Sequence, residues 1–204
     1  MLKIHTLTLG LYQTNCYIIH DENSATCCVI DPGYDADRIL RETQALDLRI
    51  EAILLTHGHF DHVGAVKDIA AATNCAVWMH QSDYSPEKHP MRMMLYPLAD
   101  TVSPVIHFCE EGEEILAGGL AIYTLHTPGH TWGSVCYVCG DAMFSGDTLF
   151  RGACGRTDLP GGDWATIMQS LQRLKEMDAQ LRVFPGHGEK TTLAQEKLHN
   201  PYMR

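Results

Sequence analysis

The amino-acid sequence predicts an α/β fold, and two observations carry this prediction. Short apolar or alternating runs of strand length recur along the chain, and segments with a helical period lie between them. Four of the apolar runs end in a turn that contains glycine and then histidine or aspartate, as expected when a functional site lies at one sheet edge. The chain has 204 residues and no linker or low-complexity segment, so residues 1–204 are expected to form one domain.

The first half of the chain predicts strands, two helices and one irregular segment. Residues 21–24, "DENS", indicate a hairpin turn between the second and third strands. Asp35–Leu46 has the apolar spacing of a helix with acids near its start, and a second helix is expected over Val63–Ala72. Residues 82–104, rich in proline and methionine, have no clear period and are a candidate lid or rim loop. The predicted strands are Lys3–Leu9, Asn15–His20, Ala25–Ile30, Ile50–Leu55 and Ala76–Met79.

The second half of the chain predicts a further set of strands, followed by two helices. Asp163 is the expected N-cap of a helix that ends near Met177. The last helix is expected to start at Thr192, where Gln195 completes a capping-box pattern, and to stop at Asn200–Pro201. The predicted strands are Ile115–Ala117, Leu120–Leu125, Ser134–Val138, Ala142–Ser145 and Leu181–Phe184.

Composition and charge exclude several classes of partner. An apolar fraction of 45% with 20% charged residues is typical of a globular chain. The net charge of −10 argues against nucleic acid or an anionic membrane as a partner. No apolar run is long enough for a signal sequence or a membrane span, which favours a cytoplasmic location.

The eight cysteines are therefore expected to stay reduced and mostly buried. Cys136 and Cys139 form a CxxC, but three positions along a strand place them on opposite faces, which argues against a redox or metal role. Cys154 is expected to be a packed thiol, with a functional role as the alternative.

The stretch "THGHFDHVGA" at residues 56–65 places three histidines and an aspartate within six positions. Each imidazole carries a polar nitrogen that needs a partner, so this cluster indicates ligand binding. Three further segments, "AIYTLHTPGH", "AMFSGD" and "RVFPGHG", share its pattern of apolar strand, glycine turn and His or Asp. Because functional residues of α/β sheets gather at the carboxyl ends of strands, we expect the four segments to converge. They would bring together His57, His59, His130, Asp147 and His187.

Five imidazoles and two carboxylates are too many ligands for one four-coordinate metal ion and suit two divalent ions. His57 and His59 share a face of an extended segment, whereas the turn that follows directs Asp61 and His62 elsewhere, toward a second ion. Asp147 could bridge the pair with its two oxygens. Nitrogen and oxygen ligands without thiolate suit zinc, iron or manganese, of which we expect zinc.

Four segments resemble the metallo-β-lactamase superfamily, and specifically its short, single-domain, glyoxalase II-like (hydroxyacylglutathione hydrolase-like) hydrolases. They are "THGHFDH", "HTPGHTWGS", "SGDTLFRGACGRTDLPGGD" and "FPGHGEKTTLAQEKLHNP", and the resemblance extends over nearly the whole chain. It implies a four-layer αβ/βα sandwich with a dinuclear site at one edge. By matched position it implies two ligand groups bridged by Asp147, with His57, His59 and His130 on the first metal and Asp61, His62 and His187 on the second.

Substrate recognition departs from the pattern of full-length glyoxalase II proteins. Those enzymes carry an additional C-terminal helical region that helps to hold glutathione, whereas this sequence stops soon after His187. Arg156 falls where those enzymes have a basic glutathione contact, but Asp158 replaces their aromatic partner. Arg156 is therefore a candidate substrate-binding residue, and a pair with Asp158 is the alternative. His126 is expected to support the site rather than to bind metal.

The resemblance implies hydrolysis of a small-molecule thioester. A pair of metal ions lowers the pKa of a shared water toward about 7, and Asp61 is the residue expected to orient that nucleophile. A mononuclear iron oxygenase of the persulfide dioxygenase type and a metal-binding module without catalysis stay open as alternatives, as do other hydrolyses such as lactone opening. A secreted β-lactamase is disfavoured by the missing signal sequence, and an RNA-processing relative by the acidic charge.

Overall fold

Two six-stranded sheets form the centre of the protein, seen in a computed structural model that describes residues 1–84 and 105–204. In the first sheet the strands lie side by side in chain order. The second strand is antiparallel to both of its neighbours, and the third to sixth strands are parallel. These strands are β1 (Leu2–Leu9), β2 (Thr14–Asp21), β3 (Thr26–Ile30), β4 (Arg49–Leu54), β5 (Ala76–Met79) and β6 (Ile106–Phe108).

The second sheet is built from the later part of the chain. It begins with β7 (Glu114–Ala117), β8 (Leu120–His126), β9 (Val135–Cys139) and β10 (Ala142–Gly146). A two-stranded ribbon follows, formed by β11 (Leu149–Phe150) and β12 (Ala153–Cys154). The sheet is completed by β13 (Arg182–Pro185) and β14 (Thr191–Thr192), and its spatial order is β14-β13-β10-β9-β8-β7. Strands β10 and β13 run parallel, and their carboxyl ends therefore share one edge.

Helices cover both outer faces of the paired sheets. They are α1 (Ala36–Ala45), α2 (Phe60–Val63), α3 (Val66–Thr73), α4 (Gln81–Tyr84), α5 (Trp164–Lys175) and α6 (Leu193–His199). One apolar cluster joins the first sheet to α1 and α3, and its members include Ile53 of β4, Ile39 of α1 and Val66 of α3. A second fills the space between the sheets, and a third joins the second sheet to α5 and α6. This is the four-layer αβ/βα arrangement that the resemblance implies.

The caps predicted at Asp163 and Thr192 are present, and Asp35, predicted as the first residue of its helix, is also a cap. The side chain of Asp35 accepts a hydrogen bond from the backbone N–H of Arg38 at the start of α1. Asp163 caps α5 by accepting from the N–H of Thr166, and Thr192 caps α6 by accepting from the N–H of Gln195. The local sequence therefore determines where these helices begin.

The predicted helix over Val63–Ala72 is wrong in its bounds. The structure has two helices here, α2 over Phe60–Val63 and α3 over Val66–Thr73. The break falls at Gly64, where a β-carbon would lie 2.3 Å from the carbonyl oxygen of Gly33. A contact with a distant loop therefore sets the break, and helical periodicity does not register it.

Several short elements were not predicted. They are β6, the ribbon of β11 and β12, β14, and helix α4, all of four residues or fewer. Elements of this length carry too few residues for a period to be visible. Of the candidate lid over residues 82–104, residues 82–84 belong to α4, and residues 85–104 lie outside the described part of the chain.

All eight cysteines carry free thiols, and seven of them are buried. Cys136 packs with the cluster beneath α5, whereas Cys139 packs between the two sheets, so the CxxC pair does face opposite sides. Cys154 is partly buried. None of the described helices combines the length and the apolar character that crossing a bilayer requires.

Candidate metal centre

The seven predicted ligand residues converge at one edge of the paired sheets. His57 and His59 follow β4, and α2 carries Asp61 and His62. The other three follow or connect strands of the second sheet: His130 lies between β8 and β9, Asp147 follows β10 and His187 follows β13. Both sheets therefore contribute to one site, as the recurring strand–glycine–ligand pattern predicts.

The ligand-type atoms fall into overlapping groups of three. In each group, one nitrogen or oxygen from every member lies within 4.8 Å of the others. One group consists of three buried histidines, in which His130 Nε2 lies 3.1 Å from His59 Nδ1. Another has His187 Nε2 at 3.3 Å from both His62 Nε2 and Asp61 Oδ2. The groups are His57, His59 and His130; Asp61, His62 and His187; and His57, His62 and Asp147.

Asp147 lies between the first two groups. Its Oδ1 is 3.4 Å from His62 Nε2, and its Oδ2 is 3.6 Å from both His130 Nε2 and His187 Nε2. Burial alone would raise the pKa of Asp147, but the nearby His62, His130 and His187 lower it below its usual value. The carboxylate is therefore negative and faces both groups.

The donor set fits divalent metal ions. His57 Nε2 is buried and makes no hydrogen bond with any described residue, which is costly for a polar atom without a ligand. Burial and the neighbouring imidazoles hold the pKa of His57 well below its usual value, and the same causes lower the pKa of His59 to about 3. Both rings are therefore neutral, which is the form that binds a metal ion.

The group of Asp61, His62 and His187 also fits a metal ion, although here the pKa of a histidine is raised rather than lowered. Burial would lower the pKa of His62, but the Asp147 and Asp31 carboxylates raise it well above its usual value. A cluster of carboxylates that holds a proton on a fully buried ring also attracts a divalent cation in its place. Nitrogen and oxygen donors of this kind suit zinc, iron or manganese.

Each of four rings is held at Nδ1 so that Nε2 faces the centre. His62 Nδ1 lies 2.9 Å from Asp31 Oδ2. His57 Nδ1 lies 3.1 Å from the hydroxyl of Thr56, which itself donates to Asp31 Oδ2. His130 Nδ1 lies 2.8 Å from the backbone oxygen of Arg156, and His187 Nδ1 lies 3.0 Å from that of Tyr12. Acceptors at Nδ1 fix the tautomer and the orientation of metal-binding histidines.

Asp31 is a residue of the site that the sequence did not reveal. It follows β3 with a φ of 50°, is 1% exposed, and also accepts from the backbone N–H of Thr56 at 2.8 Å. The adjoining Gly33 allows α2 to approach, because a β-carbon there would lie 1.6 Å from the carbonyl oxygen of Asp61. The "DPG" at 31–33 therefore supports both the ring of His62 and the helix that carries it.

Asp83, in the helix α4 that follows β5, is the second residue of the site that the sequence did not reveal. Its buried carboxylate accepts from the N–H of Gly58 at 3.0 Å, from the hydroxyl of Thr131 at 2.7 Å and from the N–H of Gly133 at 2.7 Å. Gly58 lies between two of the histidines, and Thr131 follows His130. Burial raises the pKa of Asp83, although these three donors oppose the rise. One carboxylate thus joins the two loops that present the three-histidine group.

An open cleft of about 470 Å³ lies over the centre. Its walls include Tyr12, Phe60, Phe150, Cys154 and Arg156, besides ligand residues. Arg156, the candidate substrate-binding residue, is one of the residues that line this cleft. Its guanidinium also forms a two-point pair with Asp158, with both N–O distances at 2.7 Å. The structure therefore shows the pair with Asp158, and a contact of Arg156 with substrate stays a prediction.

His126 lies apart from the three ligand groups. Its Nε2 is 3.0 Å from the backbone oxygen of Trp132, and its ring stacks on that of His80 with centroids 4.1 Å apart. It supports the loop between β8 and β9.

Comparisons with known proteins agree with this geometry. A family model for the metallo-beta-lactamase superfamily matches residues 9–187. The hydroxyacylglutathione hydrolase GloC of Haemophilus influenzae is 34% identical, over 99% of this chain and 98% of its own. The BLEG-1 B3 metallo-beta-lactamase structure has 32% identity and a TM-score of 0.87, over 100% of this chain and 99% of its own. A di-iron-bound structure of TTHA1623 has 38% identity and a TM-score of 0.83, over 97% and 99%. By sequence and by fold, this chain belongs to the metallo-beta-lactamase superfamily.

Proposed function

We propose that this chain is a dinuclear metal-dependent hydrolase that cleaves thioesters. The observation that carries the proposal is the position of Asp147, whose Oδ2 lies 3.6 Å from a histidine of each ligand group, His130 and His187, and whose Oδ1 lies 3.4 Å from His62. A carboxylate in that position suits a pair of ions better than a single one. The similar TTHA1623, solved in a di-iron-bound form, supports the same number.

Two ions are proposed to occupy the groups found in the structure. The first would be held by His57, His59 and His130, and the second by Asp61, His62 and His187, with Asp147 shared. When bound, such ions supply a Lewis acid for a substrate carbonyl and lower the pKa of water toward neutrality. Zinc is the ion we propose, with iron and manganese compatible with the same donors.

The side chains around the centre provide orientation. Thr14 donates its hydroxyl to Asp61 Oδ2 at 3.4 Å. Burial would raise the pKa of Asp61, but the His187 hydrogen bond and the His62 charge lower it below its usual value, so the carboxylate stays ionised. An ionised carboxylate can accept a hydrogen bond from the attacking water and thereby direct its lone pair at the substrate carbon.

Thioesters suit this site because their leaving group needs no proton. The water oxygen bonds to the carbonyl carbon, the carbon–sulfur bond breaks, and its electron pair leaves with the sulfur as a thiolate. The water gives up one of its protons to solvent as it attacks, and the other is released as the carboxylic acid product ionises. Burial raises the pKa of the Cys154 thiol in the cleft, which disfavours it as a competing thiolate nucleophile.

The carrier is proposed to be an anionic thiol. Arg156 presents a cationic group in the cleft, and the name of the similar Haemophilus influenzae protein refers to hydroxyacylglutathione. Because the guanidinium already pairs with Asp158, an anionic carrier would share it or displace Asp158.

Metal analysis combined with an anaerobic assay tests the proposal. We expect about two metal ions per chain by elemental analysis, and hydrolysis of lactoylglutathione and simpler thioesters at the same rate with and without oxygen. One iron per chain, with oxygen uptake on a persulfide and no thioester cleavage, would replace the hydrolase by an oxygenase. Bound metal without either reaction would favour the non-catalytic alternative.

A further inference from the structure

A second cavity, of about 260 Å³, adjoins the metal centre on the side of the β1–β2 hairpin. We refer to it as the Tyr34 pocket. Its main lining residues are Leu9, Leu11, Tyr12, Tyr34, Phe60 and Asp61. Among the described residues that line it, Asp61 is the one charged side chain, and it lies on the side of the metal centre. The rest of the wall consists of aliphatic and aromatic side chains, together with Thr14 and Gly10.

The walls of the Tyr34 pocket are fixed to neighbouring structure. Gly10 adopts a φ of 66°, and a β-carbon there would lie 3.1 Å from the ring of Tyr34, so the ring packs directly on the glycine. The ring of Tyr12 contacts that of Phe60 edge-on, with centroids 5.1 Å apart. The backbone oxygen of Tyr12 lies 3.0 Å from Nδ1 of His187. The hairpin is thus attached to the same centre that the pocket adjoins.

The pocket shares one wall with the cleft over the metal centre. Tyr12, Phe60 and Asp61 line both this pocket and the cleft over the metal centre. Arg156 lies in the cleft and is absent from the pocket lining. A substrate carbonyl positioned near Asp61 therefore has a polar side, facing the Arg156–Asp158 pair, and an apolar side, facing Tyr34.

The apolar side is also unusually exposed. Leu11 is 95% exposed, and Tyr12 and Tyr34 are each 62% exposed. Large apolar side chains grouped at the mouth of a cavity next to a reaction site are typical of ligand-binding surfaces. An apolar chain that entered the pocket would be removed from water together with these three side chains, which favours binding.

We propose that the Tyr34 pocket binds an apolar acyl group, so that the preferred substrates are thioesters of medium-length or aromatic acids. This inference rests on the proposed thioesterase function and assigns the acyl side of the substrate to the hairpin. The thiol carrier then extends toward Arg156. Burial of each methylene group increases kcat/KM by at most about fourfold, the equivalent of ~0.8 kcal/mol.

The test is a series of thioesters that share one thiol and differ in the acyl group, from acetyl through butanoyl and hexanoyl to phenylacetyl. With the metal-loaded full-length protein we expect kcat/KM to rise at least about tenfold from acetyl to hexanoyl. Leu11→Ser and Tyr34→Ser should reduce this ratio toward one. The matched control is Leu116→Ser on the edge strand β7, where Leu116 is 74% exposed and lines neither cavity, so the wild-type ratio should persist.

A direct binding measurement separates this inference from the proposed function. Ketone analogues in which a methylene group replaces the sulfur can be titrated by calorimetry into the metal-loaded protein. Tighter binding of the hexanoyl analogue than of the acetyl analogue, lost in Tyr34→Ser, supports the pocket even if no thioester is cleaved. Equal affinity for the two analogues, or a dependence on the length of the thiol instead, overturns it while leaving thioester hydrolysis intact. Absence of hydrolysis with every thioester would count against the proposed function alone.

Discussion

Replacement of Asp83 by asparagine should weaken metal binding by the three-histidine group, although Asp83 is not itself one of the predicted ligands. The Asp83 carboxylate accepts from two donors at Oδ2, the N–H of Gly58 and the hydroxyl of Thr131, and from the N–H of Gly133 at Oδ1. An asparagine side chain has one acceptor oxygen and one NH₂ group, which can only donate. If its oxygen takes the place of Oδ2, the NH₂ faces the N–H of Gly133. In the other orientation the NH₂ group faces the two donors at the Oδ2 position, the N–H of Gly58 and the hydroxyl of Thr131.

The expected cost follows from this mismatch. At least one hydrogen bond to a charged acceptor is lost, and a buried N–H is left unpaired, which costs about 1–3 kcal/mol. Part of that cost is offset, because a neutral amide is easier to bury than the carboxylate, whose pKa burial raises. We therefore expect the free energy of unfolding to fall by about 2 kcal/mol. Metal affinity should fall by about 10- to 100-fold, the usual effect of removing a group that holds ligand residues in place.

Two measurements check this prediction. Competition with a chromophoric chelator gives the affinity for each equivalent of metal, and urea denaturation gives the stability. The matched control is Asp68→Asn, since Asp68 is exposed on α3 and belongs to none of the ligand groups. Thr131→Val, which removes one of the three donors to Asp83, should have a smaller effect than Asp83→Asn. If Asp83→Asn binds two equivalents of metal with wild-type affinity, Asp83 does not position the histidines.

Three further predictions concern the centre and its rim. Asp147→Ala and Asp61→Ala should each abolish thioester turnover in a folded protein, and Asp147→Ala should lower the metal content further because its carboxylate faces both ligand groups. Circular dichroism checks folding, elemental analysis gives the metal content, and an activity assay gives turnover. Near-wild-type activity in either variant would contradict a dinuclear mechanism. Gly33→Ala should destabilise the protein by about 1–3 kcal/mol or more in urea denaturation, since its β-carbon would overlap the carbonyl oxygen of Asp61; unchanged stability would refute that close contact. Arg156→Ala should raise KM for an anionic thioester by up to about fivefold and lower kcat less, because an exposed ion pair contributes at most about 1 kcal/mol. A KM that is indifferent to this change would show that the carrier binds elsewhere.

The strands and the residues that converge at the candidate metal centre were predictable because their signals are local. An apolar run such as β4 shows its period within a few residues, and the glycine turn after it marks where the chain leaves the sheet. Four such turns carry the ligand residues, so recognising one pattern was enough to find most of the site. The structure confirms that these residues converge.

The residues that hold the ligands in place could not be predicted in the same way. Asp31 contacts Thr56 and His62 from 25 and 31 positions earlier in the chain. Asp83 reaches Gly58 across 25 positions and Gly133 across 50. An isolated aspartate in a loop or a one-turn helix has many possible roles, and the contacts that select one role exist only once both sheets have formed. The break at Gly64, set by its contact with the loop at Gly33, has the same origin.

Two residues at the rim serve the metal centre and the substrate cavities through different atoms. Arg156 accepts from His130 Nδ1 through its backbone oxygen, while its side chain lines the cleft. Tyr12 accepts from His187 Nδ1 through its backbone oxygen, while its ring lines both cavities. Because a substitution changes the side chain and keeps the carbonyl, substrate preference can change at these positions while the rings of the centre remain oriented. The ligand-type groups are thus held from the backbone and from Asp31 and Asp83, whereas the cavities above them are lined by exposed side chains, so under the proposed function a substitution in the cavities would change recognition more than chemistry.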